Sequence, residues 1–202
     1  MLRYVITILV LGAFVCVQQG NTQSLYMSEN SKGITGGLGF ASNTANLSGT
    51  SIAFSYSLDR RVDFAIEYDR FTKPEFGGFQ SDVSGTVTFY PKKQWEDDLF
   101  TMQVFATGAN STAPYRAGFS AALGTAVSTK MAVTDVASFF PRAGFMFVPF
   151  RPGSPSQYSA ITLDTSFTFK LSPGVKLLVS PGYQYEFGEQ TSNFALMGGI
   201  IL

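Results

Sequence analysis

Large apolar side chains alternate with small or polar ones along most of the chain. The clearest case is residues 51–58, SIAFSYSL, where every second position is large and apolar and the others are serine or alanine. After a polar turn at Asp59, Arg60 and Arg61, residues 62–69, VDFAIEYD, repeat the pattern. A period of two places the two kinds of side chain on opposite faces of a strand. The two segments therefore predict a β-hairpin with one apolar face and one small, polar face.

Similar alternating segments recur to the end of the chain, separated by stretches rich in glycine, proline, serine or charge. They predict about ten strands and no helix, and residues 129–138 stay ambiguous between strand and turn. Strands joined by short connections form an antiparallel meander, and closing a meander into a barrel removes its exposed edges. We therefore expect residues 25–202 to form an all-β, antiparallel up-and-down barrel of ten strands, or of eight if two segments merge.

The first residues have the composition of an export signal. A short basic start, residues 1–3, precedes an apolar run over residues 4–17 and the small residues Gly20, Thr22 and Ser24. The run has the length of a signal-peptide core and is too short to span a membrane as a helix. We expect residues 1–24 to be a signal peptide that is cleaved near Ser24, so that the mature chain is exported.

Composition decides which face of the predicted barrel meets its surroundings. Charged residues make up 14% of the chain and aromatic residues 15%, whereas soluble domains are about a quarter charged. In a soluble barrel the apolar face points inward, and in a membrane barrel it points outward to lipid. Here the polar face consists mainly of Ser, Thr, Gly and Ala, which suits a narrow, filled lumen. We therefore predict a transmembrane β-barrel.

Charged side chains of both signs fall on the small face of the strands. A buried charge needs a partner, so these residues predict a network of salt bridges that closes the lumen. The three carboxylates of one strand are expected to pair with Arg116, Arg142 and Lys176. The full predicted network is Asp63, Glu67, Asp69, Arg116, Arg142, Asp164, Lys176 and Glu186.

Aromatic residues cluster near the ends of the predicted strands. Amphipathic rings favour the boundary between membrane and water, so we expect these side chains to form belts at the two membrane interfaces. They are Tyr56, Tyr68, Phe89, Tyr90, Trp95, Phe169, Tyr183, Tyr185 and Phe187.

The hairpin SYSLDRRVDFAIEYDR and the closing segment PGYQYEFGEQTSNFALMGGIIL resemble the small OmpA/OmpX-like outer-membrane β-barrel family, and the resemblance covers residues 33–202. It implies the cell outer membrane of a Gram-negative-type bacterium. The expected partners are outer-membrane lipids, lipopolysaccharide and the barrel assembly machinery, and we expect a monomer.

The residue inventory argues against an enzyme. The chain has no histidine, which removes Ser–His and Asp–His catalytic arrangements and histidine metal ligands. Its net charge of zero gives no electrostatic case for nucleic acid. Three carboxylates on one strand could serve glycoside hydrolysis or bind a cation, but a lumen salt-bridge network explains them too. We expect no catalytic residue, cofactor or metal.

Three functions remain open. The first is an outer-membrane barrel with a structural or surface-interaction role. The second is a narrow, porin-like channel for small solutes or ions, with Asp63, Glu67, Arg116 and Arg142 as its lumen filter. The third is a soluble periplasmic barrel that holds a hydrophobic ligand among inward-facing aromatic residues.

Overall fold

A computed structural model describes residues 32–43, 48–72, 79–92, 100–112, 117–151, 157–188 and 190–202. These residues form eleven β-strands and no helix. Among them there is therefore no helix that could cross a membrane. The strands are β1 (Lys32–Asn43), β2 (Ser48–Leu58), β3 (Val62–Thr72), β4 (Phe79–Phe89), β5 (Thr101–Ser111), β6 (Gly118–Ser128), β7 (Met131–Thr134), β8 (Ala137–Phe150), β9 (Tyr158–Ser172), β10 (Val175–Glu186) and β11 (Thr191–Ile201). The predicted signal peptide lies outside the described residues.

The sheet closes on itself. Neighbouring strands pair antiparallel in chain order, and β1 pairs with β11 to complete the ring. The short β7 continues β6 and pairs with the first residues of β8, while β6 itself pairs with the rest of β8. The wall formed by the described residues therefore has ten strands, which confirms the ten-strand prediction and rules out eight. The ambiguous residues 129–138 are the tip of this long hairpin.

The strands alternate between exposed apolar and buried small or polar side chains, as the sequence predicts. On β2, the Phe54 side chain is 55% exposed, whereas Ser55 beside it is 3% exposed. β3 continues the pattern, with Ile66 exposed and Glu67 buried. A soluble barrel around a hydrophobic ligand requires the opposite arrangement. The prediction of that third function is therefore wrong, and the apolar surface faces outward, where lipid would cover it.

Both ends of the described chain lie at one end of the barrel, called here the terminal end. Ile34 and Leu202 exchange backbone hydrogen bonds there, with N–O distances of 3.3 and 2.9 Å. The β2–β3 turn lies at the same end: Asp59 and Arg60 both have positive φ, and the Arg61 N–H donates to the Leu58 carbonyl at 3.1 Å. This geometry matches the twist of a hairpin, so the tight polar turn predicted from the sequence is confirmed.

One side of the lumen is filled by apolar side chains. Phe105 from β5 and Met146 from β8 pack with their neighbours in a buried cluster. Gly124 on β6 makes room for it, because a Cβ there would collide with the Phe105 ring. The remaining members are Ala122, Ala126, Val148 and Ala160, with Tyr158 packed against them. The opposite wall, formed by β1 and β2, presents mainly small inward-facing residues, such as Thr35, Ser51 and Ser55.

The ladder between β9 and β10 is interrupted in the middle of the wall. Val179 pairs with Phe167 and Gly182 pairs with Asp164, but the intervening Ser180 and Pro181 are not paired to β9. Proline has no N–H to donate, so Pro181 leaves out one hydrogen bond of this ladder. On the lumen side, the hydroxyls of Ser166 and Ser180 form a hydrogen bond of 2.8 Å across the gap. In a membrane such an omission costs free energy, because lipid cannot replace the missing donor.

We expect the Pro181→Ala variant to be more stable than the wild-type barrel by about 1 kcal/mol, since the regained ladder hydrogen bond outweighs the greater freedom of the unfolded chain. Urea-dependent unfolding in phosphatidylcholine vesicles would measure the difference. Pro173→Ala, in the β9–β10 turn, is the matched control and should not gain stability. A Pro181→Ala barrel no more stable than wild type would contradict this account of the gap.

Candidate functional site

The lumen is the candidate site, because the buried charged side chains of the described residues gather there. β3 contributes three carboxylates at three of its four inward positions between residues 63 and 69, the fourth being Ala65. Asp63, Glu67 and Asp69 are 1%, 4% and 0% exposed. Each reaches the lumen because the pleat turns every second side chain of β3 inward. Two further buried acids, on β9 and β10, lie on the other side of the barrel.

The first ion pair joins β8 to β9 at mid-wall. Arg142 and Asp164 are directly opposite in the strand register. Nη2 and Nε of Arg142 both donate to Oδ2 of Asp164, at 3.0 and 3.3 Å. The side chains are 7% and 12% exposed. Gly182 on β10 leaves the space that the Asp164 carboxylate occupies, since a Cβ there would lie 2.7 Å from its Oδ1.

The second ion pair lies at the distal end, opposite the terminal end. Arg151, which follows β8, donates from Nη1 to Oε2 of Glu186 at 3.4 Å, and its guanidinium lies 5.0 Å from the Tyr158 ring centroid. Three neutral side chains also donate to this carboxylate. They are Gln184 and Asn193, at 3.0 and 3.1 Å from Oε1, and Thr191, at 3.4 Å from Oε2. Glu186 is thus a fully satisfied buried anion that ties β10 and β11 to the end of β8.

The β3 carboxylates have different surroundings. The Tyr90 hydroxyl donates to Oδ2 of Asp63 at 2.7 Å. Asp69 lies opposite Asp82 on β4. Glu67 lies between Ala53 and Ser84 on the neighbouring strands, and its Oε2 is buried with no hydrogen-bonding partner among the described residues. A buried carboxylate oxygen without a protein partner calls for water or another donor inside the lumen.

The predicted pairing of the network is therefore wrong in its partners. Arg142 binds Asp164 rather than a β3 carboxylate, because the register places Asp164 directly across from it. Lys176 lies near the terminal end of β10, opposite Lys170, and makes no ion pair with a carboxylate among the described residues. Arg116, the third predicted partner, lies outside the described residues.

Most of the predicted interface aromatics point outward from the barrel. Tyr56, Tyr68, Phe89, Phe169 and Phe187 are exposed. Two more lie among outward-facing rings: the Tyr183 ring centroid is 5.1 Å from that of Phe194, and Tyr185 contacts Phe187 edge-on at 5.3 Å.

Tyr90 is the exception, and its assignment to the interface is wrong. Its side chain is 3% exposed and faces the lumen. Alternation continues one residue beyond the end of β4, so Phe89 points outward and Tyr90 inward. Trp95 lies outside the described residues.

Two lumen residues were missed from the sequence. Tyr90 could have been found by continuing the inward–outward alternation of β4 one residue beyond Phe89. Arg151 could not have been found in this way, because it follows the last residue of β8 and begins a segment rich in proline and serine. Its role depends on where the end of β8 lies relative to β10, which the local pattern does not contain.

The lumen side chains can tie strands together and bind water. Among the described residues, no group of three or more histidine, cysteine, aspartate or glutamate side chains could hold a metal ion. Several lumen hydroxyls are buried without a hydrogen-bonding partner among those residues, which calls for water along part of the wall. They belong to Thr35, Ser55, Ser57, Ser84 and Thr162.

The chain matches no protein-family model and no curated protein. Among solved structures, the β domain of the Bordetella autotransporter BrkA is 10% identical, with 85% of this chain and 99% of that chain covered and a TM-score of 0.53. The NanC porin is 12% identical, with 83% and 98% covered and a TM-score of 0.51. The fold is that of a transmembrane β-barrel. At these identities the likeness shows the fold alone.

The N-terminal barrel domain of Pseudomonas aeruginosa OprF is 13% identical over 86% of this chain and 98% of that chain, with a TM-score of 0.36. A similarity that low carries no argument about subtype. The OmpA/OmpX-like resemblance therefore stays a prediction.

We expect the Arg142→Met variant to lose about 3 kcal/mol of stability, because it leaves the Asp164 carboxylate buried without its cation. The double variant Arg142→Met/Asp164→Leu should recover most of that loss, since no buried charge remains. The free energy of unfolding of each protein, measured with urea in vesicles, completes the double-mutant cycle. Arg60→Met, in the β2–β3 turn, is the control for the loss of one arginine. Losses that simply add in the double variant would show that the two side chains do not act as a pair.

Proposed function

We propose that the chain is a small barrel of the cell outer membrane with a structural or surface-interaction role and a closed lumen. The observation that carries the proposal is the inversion of faces. Large apolar side chains such as Phe54 and Ile66 are exposed around the wall, while charged ones such as Glu67 are buried inside. Such a surface suits lipid, and its formation in water would be unfavourable.

Closure of the lumen is supported by what fills it. The cluster around Phe105 and Met146 occupies one side. The Arg142–Asp164 pair lies at mid-wall, and the Arg151–Glu186 pair lies at the distal end. A barrel of this strand number leaves room for little more than its own side chains. The Arg142–Asp164 pair joins neighbouring strands and the Arg151–Glu186 pair links the end of β8 to β10, so these buried charges are neutralised along the wall.

The connections do not set the orientation of the barrel. At the terminal end, the β2–β3 and β9–β10 turns cover only residues 59–61 and 173–174, but eleven residues join β4 to β5 there. Short turns face the periplasm in bacterial barrels, and the terminal end does not have short turns alone. The distal connections are also brief, with four residues between β1 and β2 and four between β10 and β11. Contacts with lipid and lipopolysaccharide would therefore involve the wall and rim more than long loops.

The remaining parts of the proposal come from the sequence. They are cleavage of residues 1–24 as a signal peptide, insertion by the barrel assembly machinery, membership of the OmpA/OmpX-like group, a monomeric state and the absence of enzymatic activity.

One observation favours a second function, a narrow channel for small solutes or ions. The β1–β4 side of the lumen holds polar atoms that have no hydrogen-bonding partner among the described residues, including Oε2 of Glu67 and the hydroxyls of Ser55 and Ser57. Water along this wall would give a polar path. The same water is equally consistent with a closed lumen, in which it satisfies buried groups without connecting the two ends.

Planar-bilayer recording separates the two functions. We expect wild-type protein to be recovered from the outer-membrane fraction and to migrate faster on a gel before boiling than after it, because the closed barrel resists detergent. The same folded material should give no stepwise conductance, since the lumen is filled. Regular conductance steps that change in size in the Glu67→Gln variant would overturn closure and favour the channel. Recovery in the soluble periplasm without a mobility shift would overturn the outer-membrane assignment.

A further inference from the structure

A group of lysines converges at the terminal end of the barrel. Lys170, near the end of β9, lies directly opposite Lys176, near the start of β10. Like charges at directly opposite positions repel and destabilise a sheet. Lys130, between β6 and β7, is also close: its own partial burial and the neighbouring Lys176 ammonium lower the pKa of Lys130 from its usual value. Lys176 thus lies within electrostatic reach of both Lys170 and Lys130.

The local backbone brings two of these lysines face to face. The β9–β10 turn is closed by Gly174, whose φ of 81° favours glycine. The register shifts between Val175 and Lys176. Val175 pairs with Ser172 and Lys176 with Lys170, so Leu171 is an extra residue, as in a β-bulge. Bulges at barrel rims re-aim side chains, and this one sets Lys176 against Lys170.

The barrel does not neutralise this pair of charges. The side chains of Lys170 and Lys176 make no hydrogen bond or ion pair with any of the residues that the structure describes. Asp135, the carboxylate at the tip of the β7–β8 hairpin, makes no ion pair with either lysine. The fold therefore brings two cations together without gaining a contact in return. An anion bound between them would remove the repulsion.

The surroundings indicate the kind of anion. A phosphoryl group offers several acceptor oxygens, and lysine ammonium groups bind it as point charges with three donors each. Exposed apolar side chains border the lysines at the same end, including Leu171 at 54% and Val136 at 59% exposure. Lys170 and Lys176 share the inward-facing parity of Thr168 and Leu178, so a phospholipid would bring its headgroup phosphate over the rim onto the lysines, with its chains against the apolar side chains outside. A free phosphate would use the lysines alone.

We propose that Lys170 and Lys176 form a binding site for a phosphoryl group at the terminal end of the barrel. This goes beyond the structural role proposed above and does not depend on whether the lumen conducts. Two sources share the chemistry: the headgroup of a phospholipid in the adjacent leaflet, and a free phosphate in the adjoining compartment.

The test compares three full-length proteins folded in detergent: wild type, Lys170→Gln/Lys176→Gln, and Arg60→Gln/Lys92→Gln. The last removes two cations from other turns at the same end and is the matched control. In one arm, native mass spectrometry measures retained phosphatidylglycerol and, separately, a neutral diacyl glycolipid without phosphate. In the other arm, calorimetry measures the binding of inorganic phosphate. The gel mobility of unboiled samples verifies that each variant is folded.

We expect the wild type and the control to retain phosphatidylglycerol in preference to the glycolipid. In the Lys170→Gln/Lys176→Gln variant, phosphatidylglycerol occupancy should fall roughly tenfold or more, because each lysine near a membrane surface contributes to binding an anionic lipid. Saturable binding of inorganic phosphate that the same variant loses would also support the site and would identify free phosphate as its source. Equal behaviour of all three proteins in both arms would overturn the proposal, as would equal retention of the two lipids. If the double variant does not fold, Lys170→Gln alone, at an exposed position, carries the same comparison.

Discussion

Lipid offers no hydrogen-bonding partner to a backbone N–H or C=O, so a chain that spans a membrane as strands must close its sheet. In this barrel the closure is the pairing of β1 with β11, which joins residues at the two ends of the described chain. Every other feature follows from that ring. Once the edges are paired, the pleat divides the side chains into a lipid-facing set and a lumen set, and the two sets obey opposite rules of polarity.

Inside the ring, the cost of burying charge determines how the strands are tied together. Arg142 and Asp164 are neighbours across β8 and β9, and Arg151 reaches Glu186 beside them at the distal end. Each pair therefore links this part of the wall rather than crossing the lumen. The acids on β3 lie on the opposite side, next to small residues of β2. The lumen is consequently asymmetric, with an apolar cluster and ion pairs facing a more polar, acidic wall.

The sequence predicted the architecture because alternation is a local signal, and it is clearest in β2 and β3. Residues 51–69 alone define the two faces and the hairpin turn, and repetition of the unit gives the barrel. Partners inside the lumen were harder to predict, because the nearest opposite charge depends on the register between strands. Arg142 was assigned to β3 acids, although its partner is one strand away. Tyr90 was placed at the interface because it is an aromatic residue at a strand end, although the alternation that puts Phe89 outside puts Tyr90 inside.

The central claim is that the apolar face of the strands contacts lipid, and a fluorescence-quenching scan tests it most directly. Single cysteines would be placed at each of residues 51–58 in a Cys16→Ser background, since Cys16 is the only natural cysteine. Each would be labelled and reconstituted in vesicles with brominated lipid chains. The account predicts strong quenching at Ile52, Phe54, Tyr56 and Leu58 and weak quenching at the alternate positions. Quenching without a period of two, or strongest at the serines, would contradict it.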